Sequence, residues 1–312
     1  MSALALLDIL ALGAAIPFAA LGGEVFLRGI LGLAARMRLP KLLVATTLVA
    51  FATSSPELTV STLAALAGEP QIGLGNALGS NVVNISLTLG LALLFGALPL
   101  HFRAIRRDYL LALSVPVLTL LLALDGKLSR VDGALLLGLF AFWLFVSLRQ
   151  AQNHRRLARD EPTPLTDSPA RIVMWLVLGF ACLYIAGRLF VYGASGIATA
   201  LGVPGYIIGA TIIAIGTTLP ELVTTLLARL RGHDDIGLGT LLGSNLFNGM
   251  AIVGLAASIH PITIAPAQLA TTLGFGMLAV LLIFPYRNQL SRGRGVALLV
   301  VYAAFVIATL NA

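Results

Sequence analysis

The chain has 312 residues, of which 58% are hydrophobic and 11% are charged, and its mean hydropathy is +0.98. This composition excludes an ordinary soluble globular domain and indicates a helical membrane protein. The formal net charge of +7 does not indicate a nucleic-acid partner, because the basic residues fall in loops between apolar segments rather than on one soluble face.

Ten apolar segments follow one another along the chain, each long enough to cross a bilayer core of about 30 Å. They predict transmembrane helices near 3–34, 40–67, 72–98, 108–124, 131–149, 170–199, 204–230, 236–258, 265–284 and 295–311. Lys and Arg are concentrated in one set of alternate loops, whereas the other set holds Lys127 and Arg130. By the positive-inside rule the basic side is cytoplasmic, which places both termini outside. We expect an integral protein of a prokaryotic plasma (inner) membrane, with the lipid bilayer as its surroundings.

A polar, proline-containing connector at 150–169 divides the chain into halves 1–149 and 170–312, each with five predicted helices. Because five is odd, the second half enters the membrane inverted relative to the first. The sequence therefore predicts an all-α membrane protein of about ten helices in two inverted five-helix repeats. The connector is predicted to be cytoplasmic, and it is too short to hold a large regulatory domain.

The two halves contain the same polar motif inside apolar surroundings. TSSPE at 53–57 is repeated as TTLPE at 217–221, and GSNVVN at 79–84 is repeated as GSNLFN at 243–248, both with an offset of 164 residues. The repeat windows, about 45–90 and 209–254, share about 20 of 46 residues. Inverted repeats of this kind are typical of secondary transporters, in which the substrate site lies near the membrane midplane.

The repeated proline and glutamate indicate a cation site. Pro56 and Pro220 lack a backbone donor and are predicted to break helices 2 and 7, which frees carbonyl groups one turn earlier. Glu57 and Glu221 have no basic residue near them in their own helices, and an uncompensated carboxylate in hydrocarbon is costly. We therefore interpret both glutamates as cation ligands.

The residues around these glutamates offer oxygen atoms as ligands. Thr53 lies four residues before Glu57, and Thr217 four before Glu221, so each pair shares a helix face. Ser80 with Asn84, and Ser244 with Asn248, form two further pairs with the same spacing. Hydroxyl, amide, carbonyl and carboxylate oxygens favour hard cations such as calcium and sodium, which are the expected transported ions. No cofactor and no obligate protein partner is expected.

A second polar group lies on the first and sixth predicted helices. Glu24 and Arg28 are four residues apart, and Arg188 lies 164 residues after Glu24. Glu24 is expected to pair either with Arg28 in its own helix or with Arg188 across the repeat axis. We interpret these residues as a structural or gating ion pair rather than as ion ligands.

The two motifs resemble the α-repeats of the cation/calcium exchanger superfamily, and specifically its prokaryotic-type sodium/calcium antiporters, whose pattern is G-T-S-x-P-E/D followed by G-N/S-x-x-G-S-N-x-x-N. The resemblance implies a ten-helix exchanger whose ions lie between helices 2, 3, 7 and 8, with helices 1 and 6 sliding across them. It implies that calcium is bound by Thr53, Glu57, Thr217 and Glu221. It also implies that sodium is bound by those four residues together with Ala50, Ser54, Ser80, Asn84, Ala214, Thr218, Ser244 and Asn248. The chain departs from the pattern at Ala52 and Thr218, and both central positions are Asn.

Other functions remain open at this point. A calcium/proton or potassium-coupled calcium antiporter could use the same repeats, although the proton-coupled branch typically has Gly-Asn-x-x-Glu in place of the motif found here. A passive cation channel is an alternative from another class. The sequence has no G-x-S-x-G, H-E-x-x-H or nucleotide-loop motif, so we do not expect an enzyme.

Overall fold

The computed structural model describes residues 3–157, 167–200, 212, 214–264, 266–285 and 288–310. Residues 158–166 of the predicted connector and residues 204–211 of the predicted seventh span lie outside these ranges. The α-helices are α1 (Ala3–Met37), α2 (Lys41–Val44), α3 (Ala50–Thr53), α4 (Ser55–Leu66), α5 (Pro70–Val82), α6 (Gly90–Leu94), α7 (Phe102–Leu122), α8 (Arg130–Leu157), α9 (Pro169–Ala200), α10 (Ala214–Thr217), α11 (Leu219–Leu230), α12 (Asp234–Leu246), α13 (Val253–Ile259), α14 (Pro266–Leu282) and α15 (Arg292–Leu310). The π-helical stretches are π1 (Ala45–Val49), π2 (Val83–Leu89) and π3 (Phe247–Ile252).

Six of the described helices are long and apolar enough to cross a membrane, and a seventh candidate, Lys41–Leu66, is bent by 45° at Ser54. Two of the six are mostly buried inside the protein: Pro70–Leu94 and Asp234–Ile259 are 78% and 83% buried. The other four, within α1, α8, α9 and α15, are only 22–28% buried. Their large apolar side chains, such as Ile16 and Phe142, are exposed. Apolar side chains on the outside of long helices are what a lipid environment requires. The protein is therefore an all-helical membrane protein.

The chain forms two compact units, each built from parts of both halves of the sequence. The first unit contains residues 1–53 and 143–240, and the second contains residues 54–142 and 241–312. The predicted division at the connector therefore does not coincide with the compact units. The reason is that α1 packs along α9, so the first helix of one half is buried against the first helix of the other.

In the first unit, α1 and α9 run antiparallel and in close contact. Their glycines allow this: a Cβ on Gly179 would lie 2.5 Å from the Phe26 nitrogen, and one on Gly22 would lie 2.7 Å from the Cys182 Cβ. Phe26, Ile30 and Leu183 lie in the core that these helices share with α11 and α12. Small residues at the crossing of membrane helices bring the backbones together and increase their van der Waals contact.

In the second unit, α5 and π3 form the centre, and α4, α13 and α14 pack against them. Its core includes Leu74, Leu136 and Ile252. Short antiparallel strands join loops of this unit: β1 (Leu98–Pro99) pairs with β4 (Gln289–Leu290), and β2 (Lys127–Leu128) pairs with β3 (Ile262–Thr263). These two-residue strands are the one departure from the predicted all-α class among the described residues. They form because loop segments that lie side by side can satisfy their backbone groups by pairing.

The helix that carries the first motif is interrupted at Ser54, and the helix that carries the second is interrupted at Thr218. Ser54 has φ −84° and ψ 8°, and Thr218 has φ −84° and ψ 7°, which are angles of a tight turn rather than of a helix. The helix restarts at once in both places, with the proline in its first turn. A proline at this position is favourable because the first N–H groups of a helix have no partner within it.

Candidate cation-binding residues

Glu57 and Glu221 occupy equivalent places just after these interruptions. Each lies in the first turn of its helix, α4 for Glu57 and α11 for Glu221, and each is fully buried. The positive end of a helix dipole favours a carboxylate at this position by up to about 1 kcal/mol at exposed sites. That is much less than the cost of burying a charge, so a buried carboxylate also requires a cation or a proton. Both glutamates therefore have the burial expected of ion ligands.

The motif threonines of the first unit, Thr53, Thr217 and Thr218, bond to nearby backbone carbonyls through their hydroxyls. Thr53 Oγ1 donates to the Ala50 carbonyl at 3.4 Å. Thr217 Oγ1 and Thr218 Oγ1 both donate to the Ala214 carbonyl, at 3.1 and 2.7 Å. These bonds use the hydroxyl hydrogens, and they leave the hydroxyl oxygens able to accept or to coordinate.

In the second unit, the backbone of Glu57 is fixed by the neighbouring helix α5. Asn76 Nδ2 donates to the Glu57 carbonyl at 3.3 Å and to Ser61 Oγ at 3.2 Å. Ser61 Oγ in turn donates to the Gly73 carbonyl at 2.9 Å. In the first unit, Thr225 Oγ1 makes the equivalent bond to the Gly237 carbonyl at 3.4 Å. The first turn of each glutamate helix is therefore followed by a hydroxyl that ties it to the next helix.

Two asparagines link the helices that carry the second part of the motif. Asn81 Nδ2 donates to the Asn245 carbonyl at 3.2 Å, and Asn245 Nδ2 donates to the Asn81 carbonyl at 3.3 Å. Both carbonyls lie just before a π-helical stretch. The two side-chain amides therefore join the two helices by a reciprocal pair of hydrogen bonds.

These bonds fix the orientation of Asn84 but not that of its counterpart Asn248. A carbonyl only accepts, so the Asn245 amide nitrogen must face Asn81, and the Asn245 oxygen then accepts from Asn84 Nδ2 at 3.2 Å. The Asn84 oxygen is left buried without a hydrogen-bond partner in the described part of the chain. Both amide atoms of Asn248 are buried and have no such partner among the described residues. The side chain of Asn84 is thus held in one orientation, whereas that of Asn248 is not held by a hydrogen bond to any described residue.

This difference predicts unequal effects of two equivalent substitutions. We expect Asn245→Ala to raise several-fold the sodium concentration needed for half-maximal stabilisation against heat, because Asn84 then loses the acceptor that orients it. Loss of the two bonds made by Asn245 should also lower the free energy of unfolding by about 1–3 kcal/mol. Asn81→Ala is the matched control, since the Asn81 carbonyl that orients Asn245 is backbone and remains. Equal effects of both substitutions on the sodium dependence would contradict this role of Asn245.

Glu24 lies at a charged end of the first unit. It accepts from Arg231 at 2.8 Å and from Arg28 at 3.3 Å. The pairing with Arg28 agrees with one of the two expected arrangements. The expected alternative, with Arg188, is not formed: the partners of Glu24 within the described ranges are Arg28 and Arg231, and Arg188 is exposed. The reason is that the turn after α11 brings Arg231 to Glu24.

The same turn contains His233, whose Nδ1 accepts from Lys41 Nζ at 3.3 Å. Burial and the Lys41 charge lower the pKa of His233. The imidazole is therefore neutral at neutral pH, which is the form that accepts from an ammonium group.

The structure distributes the predicted ligands over the two units. The first unit contains Ala50, Thr53, Ala214, Thr217, Thr218 and Glu221, and the second contains Ser54, Glu57, Ser80, Asn84, Ser244 and Asn248. All of these residues are buried. The sequence analysis gave no role to Asn81 and Asn245, although both lie inside the quoted motif. Both positions are Asn at the same offset of 164 residues, and this repetition could have indicated a role for them.

The buried oxygen atoms suit a hard cation rather than a transition metal. Among the described residues, no group of three or more His, Cys, Asp or Glu side chains is close enough to hold a metal ion. Most of the buried polar side chains near the two glutamates are neutral hydroxyls and amides. Carboxylate, amide and hydroxyl oxygens in a buried membrane core are typical of proteins that move hard cations. The protein is therefore a membrane ion transporter by fold and by the character of its buried polar groups.

Comparison with known proteins identifies the family. The sodium/calcium exchanger protein family matches residues 7–149 and 171–311, and the chain belongs to this family. The chain is 35% identical over 271 residues to the inner membrane protein YrbG of Escherichia coli, covering 84% of this chain and 83% of YrbG. It is 28% identical over 327 residues to the sodium/calcium exchanger MaX1 of Methanosarcina acetivorans, covering 92% and 93% of the two chains. Its fold matches the sodium-calcium exchanger NCX_Mj, in crystals soaked with Na⁺ and Sr²⁺, with a TM-score of 0.82, 25% identity and coverage of 97% and 98%. These matches support cation/calcium antiport by this chain.

Proposed function

We propose that this protein is a sodium-driven calcium antiporter that works by alternating access. The observation that carries the proposal is the pair of fully buried carboxylates, Glu57 and Glu221, at equivalent positions of two repeats in a chain of the sodium/calcium exchanger protein family. The names of MaX1 and NCX_Mj as sodium/calcium exchangers support sodium as the coupling ion.

The ligand sets follow the sequence motifs. Glu57 and Glu221 bind calcium together with the backbone carbonyls of Thr53 and Thr217. Sodium uses the same groups, with additional oxygens from the residues around them. These are Ala50, Ser54, Ser80, Asn84, Ala214, Thr218, Ser244 and Asn248. Two carboxylates balance one calcium ion or two sodium ions, so the site is electrically neutral when loaded with either.

We also propose ten membrane segments in two inverted halves, with both termini outside and the connector at 150–169 cytoplasmic. The distribution of Lys and Arg supports this orientation, and the inner membrane location of YrbG suits a prokaryotic plasma membrane. Helices 1 and 6 of this scheme correspond to α1 and α9, and their long, glycine-lined contact supports the proposal that they move as one body.

The physical reason for exchange is the charge of the empty site. An ion-free site with two carboxylates would have to pass through an occluded, low-dielectric state, which is costly for unpaired charges. Only loaded or protonated forms therefore change conformation, and calcium transport in one direction is coupled to another cation in the other.

The test is calcium uptake into proteoliposomes that contain the purified protein. Radioactive calcium is added outside vesicles loaded with sodium, potassium or choline, each at matched and at imposed pH gradients. Uptake driven by an outward sodium gradient alone is the expected result. Uptake driven by a pH gradient or by potassium would instead identify a proton-coupled or potassium-coupled antiporter, and uptake without any counter-ion would identify a channel.

A further inference from the structure

Most buried hydroxyl groups among the described residues are bonded to the backbone. Thr119, Thr240 and Ser147 each donate to the carbonyl four residues earlier, at 2.8–2.9 Å. This is the usual arrangement for Ser and Thr in helices that lack water. Fully buried hydroxyl oxygens without any partner are therefore exceptions, and within the described ranges they belong to Ser80, Thr88 and Thr224.

Thr88 continues the line of polar atoms formed by Ser80 and Asn84 on the helix from α5 into π2. The three residues are spaced four apart, and each has a buried side-chain oxygen without a hydrogen-bond partner in the described part of the chain. Residues four apart in an α-helix are rotated by about 40° from each other. In a π-helix the offset is of similar size and opposite sign, so Asn84 and Thr88 still lie on one face of π2.

The second repeat does not continue the line. Its equivalent positions are Ser244, Asn248 and Ile252, and Ile252 is a fully buried member of the apolar core. Thr88 thus has a property that the duplicated motif does not explain: it is a polar group that only the first repeat carries. A buried hydroxyl with no hydrogen-bond partner costs about 1–3 kcal/mol, and a bound ligand would offset this cost.

We propose that Thr88 Oγ1 is a further ligand for a sodium ion, which it binds together with the oriented amide oxygen of Asn84. Both oxygens are neutral, which suits a monovalent cation better than calcium, whose sites rely on carboxylates. On the predicted orientation the chain runs from Asn84 towards the basic loop that follows β1. Thr88 therefore lies one turn nearer the cytoplasm than the central asparagine. This inference rests on the proposed sodium/calcium exchange.

The experiment compares Thr88→Val with Thr88→Ser and with Thr119→Val in the full-length protein. Thr88→Val keeps the side-chain shape and removes the hydroxyl, Thr88→Ser keeps the hydroxyl, and Thr119→Val removes a buried hydroxyl that is bonded to the backbone of the same unit. Each variant is assayed for sodium-driven calcium uptake and for the increase in melting temperature that sodium produces in detergent. If Thr88→Val does not fold, Thr88→Ala replaces it.

We expect Thr88→Val to raise the sodium concentration for half-maximal exchange roughly five-fold, because one ligand oxygen is lost. The increase in melting temperature that sodium produces should be smaller than in the wild type. The calcium dependence of Thr88→Val should remain that of the wild type. Thr88→Ser and Thr119→Val should keep the wild-type sodium dependence. If Thr88→Val keeps the wild-type sodium dependence and melts at a higher temperature, the proposal is overturned, because Thr88 is then an unsatisfied hydroxyl that binds no ion. If the wild-type protein shows no sodium-driven exchange, the proposed function fails, while the sodium-induced shift still tests Thr88 as a ligand.

Discussion

Replacing Glu57 or Glu221 by Gln is expected to reduce calcium exchange by at least about 100-fold, and replacing both should abolish it. The change keeps the size of the side chain, replaces one acceptor oxygen by an NH2 donor and removes the charge. Removing one partner of a buried ion pair costs about 3–5 kcal/mol, which corresponds to a factor of roughly 100 to 4,000 in binding. The measurement is sodium-driven calcium uptake into proteoliposomes, together with the calcium-induced increase in melting temperature.

Glu69→Gln provides the matched control. Glu69 is exposed in the turn between α4 and α5. The variant makes the same chemical change outside the proposed site, so it should exchange calcium at the wild-type rate. Folding of every variant is checked by size-exclusion chromatography in detergent. If the folded double variant exchanges calcium at the wild-type rate, neither glutamate is a ligand of the transported ions.

Gly179→Val is expected to disrupt the packing of α1 against α9. A Cβ at this position would lie 2.5 Å from the Phe26 nitrogen and 2.7 Å from the Phe26 Cα. Both are backbone atoms, so the clash cannot be relieved by a change of rotamer, and the two helices must separate. Overpacking of this kind typically costs about 1–3 kcal/mol, and the two extra methyl groups of valine place this variant at the upper end. The melting temperature in detergent should fall accordingly.

The control is Gly13→Val in the same helix α1. Gly13 is exposed, and a Cβ there would meet no atom within 4 Å, so this variant should melt at the wild-type temperature. A wild-type melting temperature for Gly179→Val would show that α1 and α9 can separate at little cost. Their proposed movement as one body would then lose its structural basis.

The burial of the candidate residues was largely predictable because the same motif occurs twice in the sequence. Glu57 and Glu221 are conspicuous as carboxylates in membrane-length apolar segments, and Pro56 and Pro220 lie in the first turn of the helices that follow Ser54 and Thr218. These are local properties of the chain, since a proline removes a backbone donor in any surroundings. Burial of both glutamates also followed from their apolar flanks.

Other features depend on contacts between distant segments and were not predictable. The sequence analysis placed Glu24 beside Arg28 or Arg188, and the fold adds Arg231 instead of Arg188, because a turn more than 200 residues away reaches it. The orienting bond from Asn84 to Asn245 is a second case. Two repeats with the same asparagines give no indication of which one will be oriented, and the packing of their helices decides it.

The sequence by itself determined the class of protein, the duplicated motif and the identity of the two buried carboxylates. These follow from hydropathy, from prolines and from charges, all of which act within a few residues or against the bilayer. The tertiary structure alone decided how each half contributes to the two compact units, why Asn84 and Asn248 differ, and that Thr88 lacks a partner. These properties depend on which backbone and side-chain groups meet across helices, where differences of an ångström determine whether a hydrogen bond forms.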